Sequence, residues 1–298
     1  MTAGGSDLVL AIVATVVLAL VLVGWLTRRA VDPTEDRSWA AAYGVTLTDR
    51  NRSFVRYYVR LSITLRVIGG VGGLVLGYLF DRATGMDTTT GLGFWAWILG
   101  FWVVGAAWAE RQMDPPGPRP AAASLTPRRL ADYLPVGLRS GPLVAMLAVV
   151  AVAMAGVVAP TPTQPDGFAI PSDAWLATGA AIALAAFVGV TLLLRSIVGR
   201  RQPVAHHDLV AADDAVRAST LHHVAAGGTA ALLAIGGVIA QAVVAPRHLP
   251  FGLRGWVPML FGLGTLLSSR YYAYRTWRVR RPIAGPDAST GAPVGAPS

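Results

Sequence analysis

The side chains best suited to metal chemistry are concentrated between residues 195 and 229. Four of the five histidines lie there, and imidazole and carboxylate groups are common ligands of transition metals. On a helix, however, only residues three or four positions apart share a face, and that spacing does not gather the histidines. An HExxH motif is absent as well. The sequence therefore predicts no metal or other cofactor, although the stretch offers these ligand types: His206, His207, Asp208, Asp213, Asp214, His222 and His223.

The acidic pair in this stretch is better placed to bind arginine than metal. Asp213 precedes Arg217 by four positions, which favours a carboxylate–guanidinium pair on a helix. Because the stretch lies between two long apolar segments, we interpret it as a cytoplasmic connector, with its histidines at the start of the next helix. Four of its residues then form one part of a candidate cytoplasmic interaction surface: Asp213, Asp214, Arg217 and His222.

Two residue types that many enzymes need are missing. The chain contains no cysteine, and all of its 25 basic residues are arginine. Without lysine there is no Walker A loop and no Schiff base, and without cysteine there is no thiolate chemistry or cysteine-bound zinc. The sequence leaves catalysis open but favours a protein that is not an enzyme, and it nominates no catalytic residue.

The elements that must position these residues are long apolar segments. Hydrophobic residues make up 54% of the chain and charged residues 14%, whereas soluble domains carry about 25% charged residues. Seven segments approach the length of about 20 residues that crosses a bilayer. We predict an all-α, polytopic transmembrane helix bundle over residues 1–283 and a disordered tail over 284–298. Its helices are expected near residues 8–26, 62–80, 91–109, 142–159, 174–194, 222–245 and 251–269.

The distribution of arginine predicts how this bundle is oriented. If the loops alternate between the two sides, 22 arginines fall on one side and 3 on the other. Basic residues are enriched in cytoplasmic loops, so the N-terminus is expected outside and the C-terminus in the cytoplasm of a bacterial plasma membrane. This topology also explains the net charge of +9, and we therefore expect no nucleic-acid partner.

An arginine stripe precedes the second predicted helix. Arg52, Arg56 and Arg60 repeat every four residues, while Phe54 and Tyr58 lie on another face. One interpretation is an interfacial segment that leads into the helix and is held by anionic lipid headgroups. The alternative is a docking site for an acidic cytosolic partner. Under either interpretation the three arginines belong to the candidate cytoplasmic interaction surface.

A glycine series in the second predicted helix indicates close helix packing. Gly69, Gly73 and Gly77 are spaced four residues apart and share one face. Because glycine has no side chain, the backbone of a neighbouring helix can approach closely at such a face. We predict a tight helix pair there, within one chain rather than between two copies.

Several segments resemble a group of uncharacterised multi-pass membrane proteins of actinobacteria. The resemblance extends from the first loop to the sixth predicted helix, and it implies a helical membrane architecture without implying an activity. It is carried by Tyr43–Thr48 with Asn51–Arg52 and Val55–Tyr57, by Ala123–Pro135, and by Asp213–Arg217 with His222.

These observations lead to two functional hypotheses. Ion-coupled carriers usually place ionisable groups inside the membrane, but the middles of the apolar segments contain none. We therefore predict an accessory or scaffolding subunit that contacts membrane lipids and a membrane or cytosolic protein through its arginine-rich inner loops. The alternative is a permease for a neutral or lipid-like solute, which a water-filled central cavity would favour.

Overall fold

The protein is all-helical over the residues that the computed structural model describes, which are Gly24 and residues 33–84, 92–113, 128–158, 173–200, 207–244, 259–265 and 267. This confirms the predicted fold class in its coarse form. The predicted helix at 8–26, apart from Gly24, and the tail at 284–298 lie outside these residues, as do parts of the helix at 251–269. The helices are α1 Pro33–Ala42, α2 Arg52–Thr84, α3 Leu92–Arg111, α4 Leu130–Tyr133, α5 Val136–Val158, α6 Asp173–Gly199 and α7 His207–Val244, and residues 259–265 are helical too.

Five of these helices, namely α2, α3, α5, α6 and α7, are long and apolar enough to cross a membrane. In hydrocarbon every backbone polar group needs a partner within the protein, and a helix supplies one inside a single segment. The chain is therefore a multi-pass membrane protein. These five helices overlap the five middle segments that the sequence predicts.

Helices α2 and α7 are longer than a bilayer requires. They contain 33 and 38 residues, which correspond to about 50 and 57 Å, against a hydrocarbon core of about 30 Å. Their N-terminal turns lie together, beside the C-terminal ends of α3 and α6. We call this side of the bundle the polar end.

Helix α7 begins earlier than the sequence predicts, within the segment interpreted as a connector. Residues 207–221, which the sequence predicts to lie in a connector before the helix near 222–245, form the first four turns of α7. No proline interrupts the helix between His207 and Val244, and the Asp213–Arg217 pair joins successive turns, so the helix continues out of the apolar segment. The arginine-bearing lead-in at residue 52 is likewise continuous with α2.

Helix α7 is the central element of the bundle. In its apolar window 72% of the residues are buried, compared with 17–33% in the other four spans. Alanine and glycine let α3, α5 and α6 approach it closely. A Cβ on Gly228, for example, would lie 2.6 Å from a methyl group of Val190. Helix α7 therefore occupies the centre of the bundle, and α3, α5 and α6 pack around it.

The glycine series of α2 faces α3. A Cβ added to Gly69 would overlap the carbonyl oxygen of Phe101, and one added to Gly73 would overlap that of Trp97. A Cβ on Gly77 would lie 2.7 Å from the indole ring of Trp97, and from the other side Gly105 meets the carbonyl group of Leu65. These glycines let the two backbones approach within the chain.

Helix α1 lies across the polar end and is held there by polar contacts. The Asp36 carboxylate accepts a 2.7 Å hydrogen bond from Arg56 of α2, and the indole of Trp39 donates to Ser219 of α7 over 3.3 Å. A turn at Gly44, whose φ of 67° favours glycine, leads from α1 towards α2. Helix α1 therefore covers the N-terminal turns of both long helices.

Candidate functional site

Four charged side chains meet at the polar end; three of them are buried, and the fourth, Arg200, is partly exposed. Glu110 lies in the last turn of α3 and Arg200 directly follows α6, while Asp213 and Arg217 lie in α7. Asp213 and Arg217 are 0% exposed and Glu110 is 1% exposed. We refer to these four residues as the ionic cluster.

The ionic cluster contains two acids and two arginines in direct contact. Arg200 binds both acids, since its Nη2 donates to Oδ1 of Asp213 and its Nε lies 3.1 Å from Oε1 of Glu110. Arg217 Nη2 donates to Oδ2 of Asp213 over 3.2 Å. A buried charge is tolerated only when it is matched and hydrogen-bonded, and these four formal charges sum to zero.

The two arginines also bind the ends of neighbouring helices. Arg217 Nη1 donates to the carbonyl groups of Val198 and Arg200, over 3.2 and 2.9 Å, and Arg200 Nη1 donates to that of Met113 over 2.8 Å. The last carbonyls of a helix lack partners within it, and cations are favourable there. The cluster therefore joins the C-terminal ends of α3 and α6 to α7.

Two hydroxyl groups extend the ionic cluster to α2. Thr220 of α7 donates to Oε2 of Glu110 over 3.0 Å, and the Tyr58 hydroxyl of α2 lies 3.0 Å from the same threonine oxygen. Both side chains are buried. Four long helices thus meet in one polar network. Its ion pairs and hydrogen bonds are suited to holding the helices together.

A neighbouring set of contacts, centred on Asp214 of α7, holds the short helix α4 in place. Asp214 lies 3.3 Å from Nη2 of Arg128 and accepts a 3.1 Å hydrogen bond from the Tyr133 hydroxyl. Burial, reinforced by the negative charge of Asp214, raises the pKa of Tyr133 to about 12. The short helix therefore docks on α7 through a neutral phenol that points at a carboxylate.

This contact gives an expected alkaline titration. Since the pKa of Tyr133 is raised, the neutral phenol is favoured in the folded state, and the associated stability is lost as pH rises from about 10 towards about 12. The difference in tyrosinate absorbance between the wild type and Tyr133→Phe should therefore titrate near pH 12. Asp214→Asn should move that component to lower pH, and a component already titrating near pH 10 would contradict the contact.

His222 and His223 of α7 face the backbone of their own helix. Nδ1 of His222 lies 2.6 Å from the carbonyl oxygen of Ala218, and Nδ1 of His223 lies 2.7 Å from that of Ser219, so in each ring Nδ1 is the donor. Over the described part of the chain, no three histidine or acidic side chains are grouped so that they could hold a metal ion.

The residues of the candidate interaction surface fall into two groups, one exposed on α2 and one largely buried on α7. Arg52 and Arg60 are exposed, and Arg56 is partly exposed while it pairs with Asp36. Asp213, Arg217 and His222 are instead buried at 0%, 0% and 6% exposure, and Asp214 is 17% exposed. The expectation that all four lie on an open surface is therefore corrected, because the first turns of α7 are enclosed by α1, α2, α3 and α6.

Sequence reasoning missed Glu110 and Arg200. Each ends an apolar segment, and 90 positions separate them, so no helical or motif spacing links them. Asp213 could be paired with Arg217 because both lie on one helix. Its second partner becomes visible only when α6 and α7 are packed together.

A polar cleft opens beside the ionic cluster, between the ends of α3 and α6. Its volume is about 250 Å³, and its lining includes Glu110, Arg111, Ser196 and Arg200. Arg111 and Ser196 are exposed, whereas the Arg200 side chain is 20% exposed. Arg200 therefore connects the buried cluster with a cleft that a ligand can enter.

Comparison with protein-family models, with curated proteins and with solved structures found no match to this chain. The resemblance to actinobacterial membrane proteins therefore stays a prediction, and the residues themselves carry the functional argument.

Proposed function

We propose that the protein is an accessory or scaffolding subunit of a bacterial plasma membrane. In this proposal the bundle has about seven transmembrane helices, with the N-terminus outside and both the C-terminus and the polar end in the cytoplasm. The polar end contacts a membrane or cytosolic protein of acidic character, together with anionic lipid. The positive surface of that end carries the proposal.

The positive charge of this surface is evident from the residues that are exposed there. Among the described residues at the polar end, the exposed acids are Asp49 and Asp132. The ionic cluster adds no net formal charge, and exposed arginines outnumber exposed acids over the described part of this end. Complementary charge directs partner choice and association. The exposed arginines at this end are Arg37, Arg50, Arg52, Arg60, Arg111, Arg129, Arg139 and Arg195.

The ionic cluster supports the scaffold proposal in a second way. It fastens α3, α6 and α7 directly beneath the exposed arginines, and the surface is therefore presented by a rigid base. A preformed surface orders fewer side chains on binding, which favours affinity.

The second candidate is a permease for a neutral or lipid-like solute. An apolar cavity between α3 and α6, lined in part by Trp97 and Ile182, is the observation that favours it. Alternating access, however, needs a site between moving halves of the protein. Helix α7 instead fills the centre of the bundle, with buried residues along most of its length. The packing therefore favours the scaffold.

Charge reversal tests the scaffold proposal. Arg52→Glu with Arg60→Glu should lower the recovery of a stoichiometric acidic partner from native membranes about tenfold, as expected for a loss of about 1.4 kcal/mol of binding free energy. Recovery from the wild type should also fall with rising salt. Co-purification in mild detergent with quantitative mass spectrometry measures both.

Arg82→Glu is the matched control, because Arg82 is exposed at the opposite end of α2. It should leave recovery unchanged. An unaltered set of co-purifying proteins in the double variant, or an equal loss in the control, would count against the scaffold proposal.

A further inference from the structure

We propose that the groove between α3 and α6 binds one anionic phospholipid of the inner leaflet. Its phosphate would lie in the polar cleft at Arg111, and one acyl chain would occupy the apolar cavity further along the groove. This inference rests on the proposed placement of the polar end in the cytoplasm, but it does not require a protein partner.

The groove exists because α3 and α6 meet over a short stretch. Val103 and Ala107 of α3 pack in one core cluster with Val190 and Leu194 of α6. On either side of this contact the helices leave a cavity, with α7 behind the apolar one. Both cavities therefore lie between α3 and α6, and only the cleft at the polar end has charged residues in its wall.

The polar cleft carries the charge that a phosphate needs. Glu110 in its wall is already paired with Arg200 and hydrogen-bonded by Thr220, and the ionic cluster as a whole is neutral. Arg111 is exposed at the cleft and adds positive charge. Arginine binds phosphate oxygens through two parallel N–H groups. A phosphate beside Arg111 would therefore meet a local positive charge.

The depth of the cleft fits a lipid headgroup. Arg111 is the last residue of a membrane-spanning helix, where arginine side chains reach the interface. Phe101 in the apolar cavity lies ten residues earlier on the same helix, about 15 Å away. One leaflet contributes about half of a hydrocarbon core of about 30 Å. An acyl chain attached at the cleft is therefore long enough to reach the depth of the cavity.

The apolar cavity is open to lipid and has room for a chain. Its volume is about 260 Å³ and its walls include Gly100, Phe101, Val104 and Ile182. Val104 is 50% and Ile182 46% exposed, which places the opening on the membrane-facing side. Apolar walls without neighbours lose their dispersion contacts, and an acyl chain restores them without burying a polar group.

Lipid titration of the purified full-length protein tests the site. In nanodiscs of phosphatidylcholine, added phosphatidylglycerol should bind with a stoichiometry near one, as measured by native mass spectrometry. Arg111→Gln should weaken this binding about tenfold, as expected for the loss of a charge-assisted hydrogen bond. Arg139→Gln, at an exposed arginine of α5, is the matched control and should bind as the wild type does.

The acyl-chain part of the proposal has its own variant. A Cβ on Gly100 meets nothing within 4 Å, so Gly100→Leu should fill the cavity and weaken binding of long-chain phosphatidylglycerol without lowering thermal stability. Gly72→Leu on α2 is the control, since Gly72 is equally uncrowded. It should bind phosphatidylglycerol as the wild type does.

Three results would overturn the proposal. They are equal affinity for phosphatidylcholine and phosphatidylglycerol, equal effects of Arg111→Gln and Arg139→Gln, and competition by glycerol 3-phosphate at the concentrations at which the lipid binds. The last would identify a site for a soluble phosphate. Because no partner protein is present, failure here is distinct from failure of the scaffold proposal, which co-purification tests.

Discussion

Asp213→Ala is expected to destabilise the folded bundle by about 3–5 kcal/mol, the usual cost of breaking a buried ion pair by removing one partner. The variant leaves Arg217, which is 0% exposed, without its carboxylate, and Arg200 loses one of its two acids. The remaining cluster carries an uncompensated positive charge. Thermal unfolding in detergent, followed by tryptophan fluorescence, measures the loss.

Asp214→Ala is the matched control for this variant. Asp214 is the next residue in the chain, but its side chain is 17% exposed and that of its partner Arg128 is 19% exposed, so solvent screens this pair in part and Asp214→Ala should cost less than Asp213→Ala. Combining Asp213→Leu with Arg217→Met restores neutrality and should cost less than the sum of the two single changes. Equal losses for Asp213→Ala and Asp214→Ala would contradict the distinction between the fully buried carboxylate of Asp213 and the partly exposed one of Asp214.

The second large effect is expected at the seam between α2 and α3. Gly69→Ala places a Cβ against the carbonyl oxygen of Phe101, and Gly105→Ala does the same against that of Leu65. Backbone atoms cannot rotate away as a side chain can, so the helices must separate. Each variant should lose about 1–3 kcal/mol of stability, the usual cost of overpacking.

Gly72 provides the control for this seam. It lies beside Gly73 on α2, but its Cβ would meet nothing within 4 Å. Gly72→Ala should therefore be neutral or slightly stabilising, because alanine favours a helix over glycine by up to about 1 kcal/mol. The same thermal unfolding assay compares these variants. A loss at Gly72 equal to that at Gly69 would show that helix propensity, and not the close approach, controls stability.

The helices could be predicted from the sequence because hydrophobicity and local spacing determine them. Long uncharged segments can satisfy their backbone groups in a membrane only as helices, and glycines four residues apart must share a face. The segment that Gly69 and Gly73 meet could not be read from that spacing. The structure shows it to be α3.

The candidate site could be predicted only in part. The Asp213–Arg217 pair is local and followed from its spacing, whereas its contacts with Arg200 and Glu110 depend on how three separate helices pack. The same packing buries residues that the sequence predicts to lie on a cytoplasmic connector. Hydrophobicity alone placed the start of the predicted transmembrane helix at residue 222. Ion pairs with neighbouring elements allow the preceding charged segment to be helical and buried as well.

The proposal that the polar end lies in the cytoplasm is tested most directly by measuring on which side of the membrane this end is labelled. Since the chain has no cysteine, a single introduced thiol reports its own position. Asp173→Cys at the opposite end and Arg129→Cys at the polar end both replace exposed residues. In intact cells a membrane-impermeant maleimide should label the Asp173→Cys variant, and it should label Arg129→Cys only after the membrane is opened. The reverse pattern would place the arginines outside and contradict both the cytoplasmic scaffold and the inner-leaflet lipid site.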